Sequence, residues 1–245
     1  MKRVNDVICV FRIHLARLRA EAGPFLLAAL IFPSAMYLFT NAISGAAVEQ
    51  QTRLRFLAGS IVFSLSLTAI SWLGYLLLEN RFTGRLKLFA TLPLAPSSYV
   101  FGIVIFGLIQ AALGTGMLLL ITRLLGVRTH VSIAPLAATI LLTMLCLCGL
   151  AVIIASRARS FSEGSLLTDS LGAGLVFVAP VYYSPETMPH ALRLISEWLP
   201  TALAAHAVQA ALAGSYAISK DLAVLGAMAI LSLSVGFKLM RFREE

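Results

Sequence analysis

Residues 56–78 read FLAGSIVFSLSLTAISWLGYLLL, a run of 23 positions without one charged side chain. A bilayer core takes about 20 apolar residues per helix. In hydrocarbon a lone chain segment can satisfy its backbone only as a helix, so this stretch is expected to span as one. Arg53 and Arg55 precede it, and Glu79 and Arg81 follow it. Five further stretches read alike or nearly so, at 23–40, 99–122, 133–155, 166–183 and 219–240. The first holds Pro24, which suits a first helical turn, and Pro33, which predicts a kink. The expected fold is all-α integral membrane, six transmembrane helices forming one domain over residues 1–245.

Composition points the same way. The 245 residues are 59% hydrophobic and only 12% charged, about half the charge of an average soluble domain. An ordinary soluble domain and a disordered chain are both excluded. The net charge of +8 lies between long apolar runs, so membrane lipids rather than nucleic acid are its expected partner. Cys9, Cys146 and Cys148 make no disulfide framework. The last two are two apart in an apolar run, face different sides of a helix and read as packing.

The first 22 residues lack the continuous apolar core of a cleaved signal. Val4, Val7, Ile8, Phe11, Leu15 and Leu18 recur at helical spacing among Arg3, Arg12, Arg17 and Arg19. That pattern predicts an amphipathic helix in the headgroup plane. With the N-terminus inside, the inner segments hold 13 of the 19 Lys and Arg residues, which by the positive-inside rule places both termini in the cytoplasm. Residues 198–213 (WLPTALAAHAVQAALA) are apolar but too short to span. With the amphipathic piece 189–198 they predict an extracellular re-entrant hairpin over 184–214, carrying Pro189, Trp198, Pro200, His206 and Gln209.

Catalytic signatures are missing from the chain. There is no GxxxxGK[ST], HExxH, CxxC or GxSxG. His14, His130, His190 and His206 are scattered, so no metal site and no bound cofactor are expected. Asp169 is the one acid inside an expected span, with Arg157 or Arg159 within possible reach. The longest inner loop, 79–98, sets Leu78, Phe82, Leu86 and Phe89 four, four and three apart, beside Arg81, Arg85 and Lys87 and ahead of Pro93 and Pro96. Such a short amphipathic helix can lie on the membrane, cap the spans or dock a soluble partner.

At this loop the chain resembles the permease subunit of type 2 ABC exporters. The family pattern has an acidic residue, then Gly, then a Leu-Leu-Ala-Thr-Pro-Leu-like run, then a Tyr opening the third span. Here those are Glu79, Gly84, LKLFATLPLAP (86–96) and Tyr99. The family's fifth span ends in an aromatic stretch followed by short extracellular helices with two spaced prolines, as in 179–214 with Pro189 and Pro200. The N-terminal helix resembles the family's elbow helix. The family often has an acidic residue where Lys87 stands and an arginine near Gln209.

The resemblance implies a dimer of permease protomers, homomeric or heteromeric, in the inner (plasma) membrane of a prokaryote. It implies two separate cytoplasmic ABC ATPase subunits, which hold ATP and magnesium, and outward transport. Loop 79–98 becomes the coupling segment, with Glu79, Phe82, Gly84, Arg85, Leu86, Lys87, Phe89 and Pro93 at the ATPase contact. The basic loop 156–165 is a second cytoplasmic segment. The family's path is lined mainly by the first, second and fifth spans, which here carry Phe25, Phe32, Tyr37, Phe39, Phe63, Trp72, Tyr75, Phe177, Tyr182 and Tyr183. Aromatic faces suit a lipophilic or amphiphilic small molecule or a lipid-linked glycan. The alternative is the substrate-binding membrane module of a vitamin-type uptake complex; a membrane enzyme would need a cluster of Asp, His or Ser within the spans. With the native cysteines replaced, Ser184→Cys and Ser215→Cys should both react with an impermeant maleimide from outside. Labelling of position 215 from the cytoplasm alone would make 198–213 a span.

Overall fold

The computed structural model describes residues 2–20, 23, 30–45, 49–85, 96–184, 186 and 188–239. Among them no strand occurs. The helices, in order, are α1 (Lys2–Ala20), α2 (Phe32–Ser44), α3 (Gln50–Phe82), α4 (Pro96–Leu124), α5 (Ile133–Arg157), α6 (Phe161–Val178), α7 (His190–Ser196), α8 (Pro200–Leu212) and α9 (Ser219–Leu239). Among the described residues, α3, α4 (over Ser98–Leu124), α5 and α9 are each long and apolar enough to cross a membrane, where the hydropathy reading expects six spans. Of the other two, α2 is described over 13 residues, and α6 has 18 residues that include Glu163 and Asp169.

Contacts along the helices order the bundle. Gln50 donates from Nε2 to the Arg128 carbonyl near the starts of α3 and α5. Arg81 reaches the Ala155 carbonyl near both ends, so these two helices run parallel. α9 runs parallel to α5 as well, with Ser232 Oγ donating to the Cys146 carbonyl and Gly236 meeting Val152. α4 and α6 run the other way. Gly107 of α4 faces Leu73 and Met144, while Gly164, Thr168 and Gly172 of α6 meet Leu78, Gly74 and Ile70 in turn. α3 is the centre: 72% of its most apolar window is buried, against 22% for α9, which leaves most of α9 facing outward.

Two local features shape α3 and the start of α2. Residues Leu67–Trp72 of α3 form a π-turn, closed in part by the Leu73 N–H on the Thr68 carbonyl. In an α-helix, at 3.6 residues per turn, positions five apart lie well round the axis; in an i→i+5 turn they come close to one face. Ser66 and Ser71 therefore both meet Gly172. Ser66 Oγ donates to the Gly172 carbonyl at 2.7 Å, and a Cβ on Gly172 would stand 2.6 Å from Ser71 Oγ. A second wide turn, at Leu30 and Ile31, comes just before Pro33. Pro33 lies in the first turn of α2, where its missing N–H costs nothing; residues 24–29, through which the expected kink would show, lie outside the described residues.

α6 is offset from its expected span. It starts at Phe161 and stops at Val178, rather than covering 166–183. Ser160 opens it as N-cap, accepting from the Glu163 N–H at 3.1 Å. Pro180 closes it, because a residue before proline is pushed out of the helical region; Ala179 has ψ 145°. Only 158–160 turn the corner between α5 and α6, so much of the basic loop 156–165 is helix.

α1 is amphipathic with two apolar sides. Val7, Val10, Phe11 and His14 form the side laid on α4, with Val10 and His14 buried. Their contacts fall on Tyr99, Gly102 and Phe106. Ile8 and Leu15, expected in one stripe with Phe11, are exposed instead. The side chains of Val4 and Leu18 lie outside the described residues.

Glycine sets how closely α5 and α9 pack. A Cβ on Gly149 would stand 2.3 Å from Ser232 Oγ and 2.7 Å from the Ser232 carbonyl carbon. Backbone cannot yield as a side chain can, and overpacking of this kind costs about 1–3 kcal/mol. Gly149→Leu should lower the thermal unfolding midpoint in detergent. Gly116→Leu, whose Cβ would meet nothing within 4 Å, should leave the midpoint unchanged.

Candidate functional site

Of the five residues that end α3, four each bind a different part of the protein and the fifth is exposed. Leu78 is fully buried and closes on Gly164 of α6. Glu79 Oε1 accepts from Arg85 Nη1 at 3.1 Å. Asn80, buried, donates from Nδ2 to the Tyr99 hydroxyl of α4 at 2.7 Å. Arg81 Nη1 donates to the carbonyls of Ala155 and Ala158 at 2.7 and 2.9 Å. Phe82 turns its ring outward, 41% exposed, with the Arg81 guanidinium 5.2 Å from its centroid.

The chain leaves this end through a glycine. Thr83 bonds back to the Glu79 carbonyl through its N–H at 2.9 Å and its hydroxyl at 2.6 Å. Gly84 then takes φ +75°, the left-handed backbone that commonly ends helices and that glycine adopts without a Cβ penalty. The glycine of the family-like pattern has this stereochemical reason. Arg81 supplies α5 with what its end lacks, since the last carbonyls of a helix have no partner within it. A cation there also sits at the negative end of the helix dipole. Leu86, Lys87, Phe89 and Pro93 lie outside the described residues.

The aromatic residues assigned to a path divide into groups. Phe63 and Phe177 meet across α3 and α6 as tilted rings, with centroids 6.3 Å apart. Tyr183 donates its hydroxyl to the Phe177 carbonyl at 3.1 Å. Tyr182 lies over Gly59, whose added Cβ would stand 2.8 Å from its ring. These four gather where α6 runs out. Phe32 and Phe39 are on the open side of α2, at 59% and 60% exposure. Tyr37, between them in sequence, is fully buried and meets no open surface in this conformation. Trp72 is half-buried in the π-turn, and Tyr75 meets Phe161 edge-on at 5.1 Å. Phe25 is outside the described residues. Asp169 stands exposed on α6; among the described residues no ion pair joins it to Arg157 or Arg159.

The residues of the expected hairpin also separate. α8 is a buried half-length helix against α3, α5 and α9. Its Thr201 donates to the Leu175 carbonyl at 2.6 Å, and its last carbonyls, Ala211 and Leu212, accept from the Ser132 and His130 N–H groups. Pro200 is buried at its first turn, Gln209 is half-buried, and His206 is exposed. His206 Nδ1 lies 2.6 Å from Asp221 Oδ2 of α9. Pro189 is exposed and caps α7. Leu192, Leu194, Ile195 and Trp198 of the α7 segment are also exposed, an apolar surface suited to lipid. There, the Glu197 carboxylate bonded to Arg193 Nε at 2.7 Å holds the guanidinium pKa above its ordinary value, first through the bond and then through charge.

Sequence reasoning placed Arg81 among the polar neighbours of the apolar face 78–89 and passed over Asn80. The signal for Asn80 is its place: Leu73, Leu77 and Asn80 are four and three apart on one face of a buried helix. A polar side chain there needs a bonding partner. Among the described residues no three His, Cys, Asp or Glu side chains gather as a metal site.

The model of a family described as "ABC-2 type transporter" matches residues 7–213. No curated protein matches the chain. The Asn80–Tyr99 bond should be measurable by a double-mutant cycle of Asn80→Leu and Tyr99→Phe. A coupling of about 1 kcal/mol in unfolding free energy is expected for a buried neutral bond. Strict additivity would show that the bond contributes nothing.

Proposed function

The chain belongs to the ABC-2 type transporter family, and from that premise we propose that it is the permease subunit of an ATP-driven exporter. ATP and magnesium are held by two separate cytoplasmic ATPase subunits. Two permease protomers enclose the path, and each crosses the inner membrane six times, with α2 and α6 as the first and fifth crossings. Both termini are cytoplasmic, and α7 with α8 forms an extracellular re-entrant hairpin. The cargo is a lipophilic or amphiphilic small molecule or a lipid-linked glycan, carried along the aromatic faces of α2, α3 and α6.

The observation that supports this most is the base of loop 79–98. A loop that only links two spans needs no fixed geometry. Here four successive residues of α3 tie its exit to α4, α5, α6 and the loop itself, while the next leaves an aromatic ring open. A rigid base with an exposed Phe suits a surface that receives force from a docked partner, and buried aromatics dominate such contacts.

Affinity purification in mild detergent from the native membrane should bring down a subunit with a GxxxxGK[ST] sequence and ATP hydrolysis. Phe82→Asp together with Leu86→Asp should leave the chain in the membrane. Loss of an anchor worth about 2 kcal/mol or more should weaken ATPase binding at least about thirtyfold, so that recovery near the native dissociation constant falls roughly fifteenfold or more. Undiminished recovery in the double variant would remove loop 79–98 from the docking surface.

A further inference from the structure

The end of α3 touches more than the loop. Arg81 lies one turn from Leu78 and two turns from Gly74, and the three positions contact the end of α5, the start of α6 and Thr168 further along α6. Arg81 bonds two carbonyls at the end of α5, Ala155 and Ala158. Leu78 packs where a Cβ on Gly164 would stand, 2.4 Å away, and that Cβ would also lie 3.0 Å from Ala158. Gly74 faces Thr168 of α6 so closely that a Cβ there would be 2.7 Å from its methyl. Tyr75 adds an edge-on ring contact with Phe161. The corner is itself stiff: Ser160 caps Glu163, and Glu163 Oε2 accepts the Arg159 N–H at 2.9 Å.

We infer that Arg81 is the positioning residue that makes the exit of α3, residues 83–85, and the α5–α6 corner move as one body, so that displacement of that exit reaches α6 directly. This rests on the permease reading, because it is a docked ATPase that would displace the loop. The apolar contacts at Leu78, Gly74 and Tyr75 resist separation but can slide. The Arg81 contact resists both motions, because one guanidinium nitrogen holds two carbonyls on either side of the helix end. A charged donor to carbonyls is also stronger than a neutral one. Removing it would leave the Ala155 and Ala158 carbonyls without this donor at the joint between the exit of α3 and the α5–α6 corner. The far part of α6 carries Phe177, beside Tyr182 and Tyr183, so motion of the corner is delivered to the aromatic face proposed for cargo.

The test uses the complex with its ATPase in lipid vesicles, spin-labelled in pairs at Thr83→Cys with Ser162→Cys and at Leu124→Cys with Ser162→Cys, native cysteines replaced. Distances are read by double electron–electron resonance without nucleotide and after trapping with MgATP and vanadate. The 83–162 distance should stay fixed while the 124–162 distance shifts. In Arg81→Gln the 124–162 shift should fall to about half or less while the chain still inserts and still recruits its ATPase. Arg81→Lys, which keeps a charged donor, should recover most of the shift, a rescue that loss of fold would not permit. A full-sized shift in Arg81→Gln, or a native 83–162 distance that changes with nucleotide, would overturn the assignment of Arg81. A native complex that recruits no ATPase, or in which neither distance responds to nucleotide, would overturn the permease reading and this inference with it.

Discussion

A backbone carbonyl that loses its helical partner inside hydrocarbon must find a donor within the protein, because lipid offers none. Several helix ends among the described residues find such a donor. Where α5 stops, Arg81 takes its carbonyls. Where α8 stops, the His130 and Ser132 N–H groups do the same. Ser66 and Thr201 reach the Gly172 and Leu175 carbonyls of α6. Each of these bonds joins two elements far apart in sequence, so the same groups that end or brace one helix locate another. Polar satisfaction is thus also the wiring of the fold.

Small residues make those bonds reachable. α8 presents Ala202, Ala204, Ala205, Ala207 and Ala211 as buried positions, so a helix too short to cross can sit deep among longer ones. Gly74, Gly149, Gly164 and Gly172 bring α3, α5, α6 and α9 to distances that a methyl group would prevent. In lipid, apolar contact with a neighbouring helix gains little over contact with acyl chains, and close backbone approach becomes the main source of packing energy.

Much of this was legible from periodicity and charge. The long apolar runs fall on α3, α4, α5 and α9, because hydropathy over about 20 positions is a strong signal; α3 extends beyond its run by six residues at its start and four at its end. The end of α6 was misplaced, since hydropathy runs on through residues 179–183 while Pro180 stops the helix; the local backbone rule outranks the apolar count. On α1 the stripe was chosen by apolarity alone. The face that packs includes His14, whose ring lies 6.0 Å from Phe106 and 6.4 Å from Tyr99, so a polar residue at helical spacing was part of the contact. At the loop base, Glu79, Gly84 and Tyr99 stood out through resemblance. Asn80 and Arg81 did not, because what defines them is a partner on another helix, and no spacing within α3 reveals it.

The π-turn of α3 has a bearing on how this chain can change in length. One residue added to an α-helix rotates everything beyond it by roughly 100°, which would turn Asn80 and Arg81 away from α4 and α5. A wide turn confines the extra residue to a single loop of backbone and leaves both sides in register. Leu67–Trp72 is therefore the place in α3 where a single-codon insertion or deletion can be absorbed. Drift in helix length can accumulate there while the contacts at either end of the helix persist.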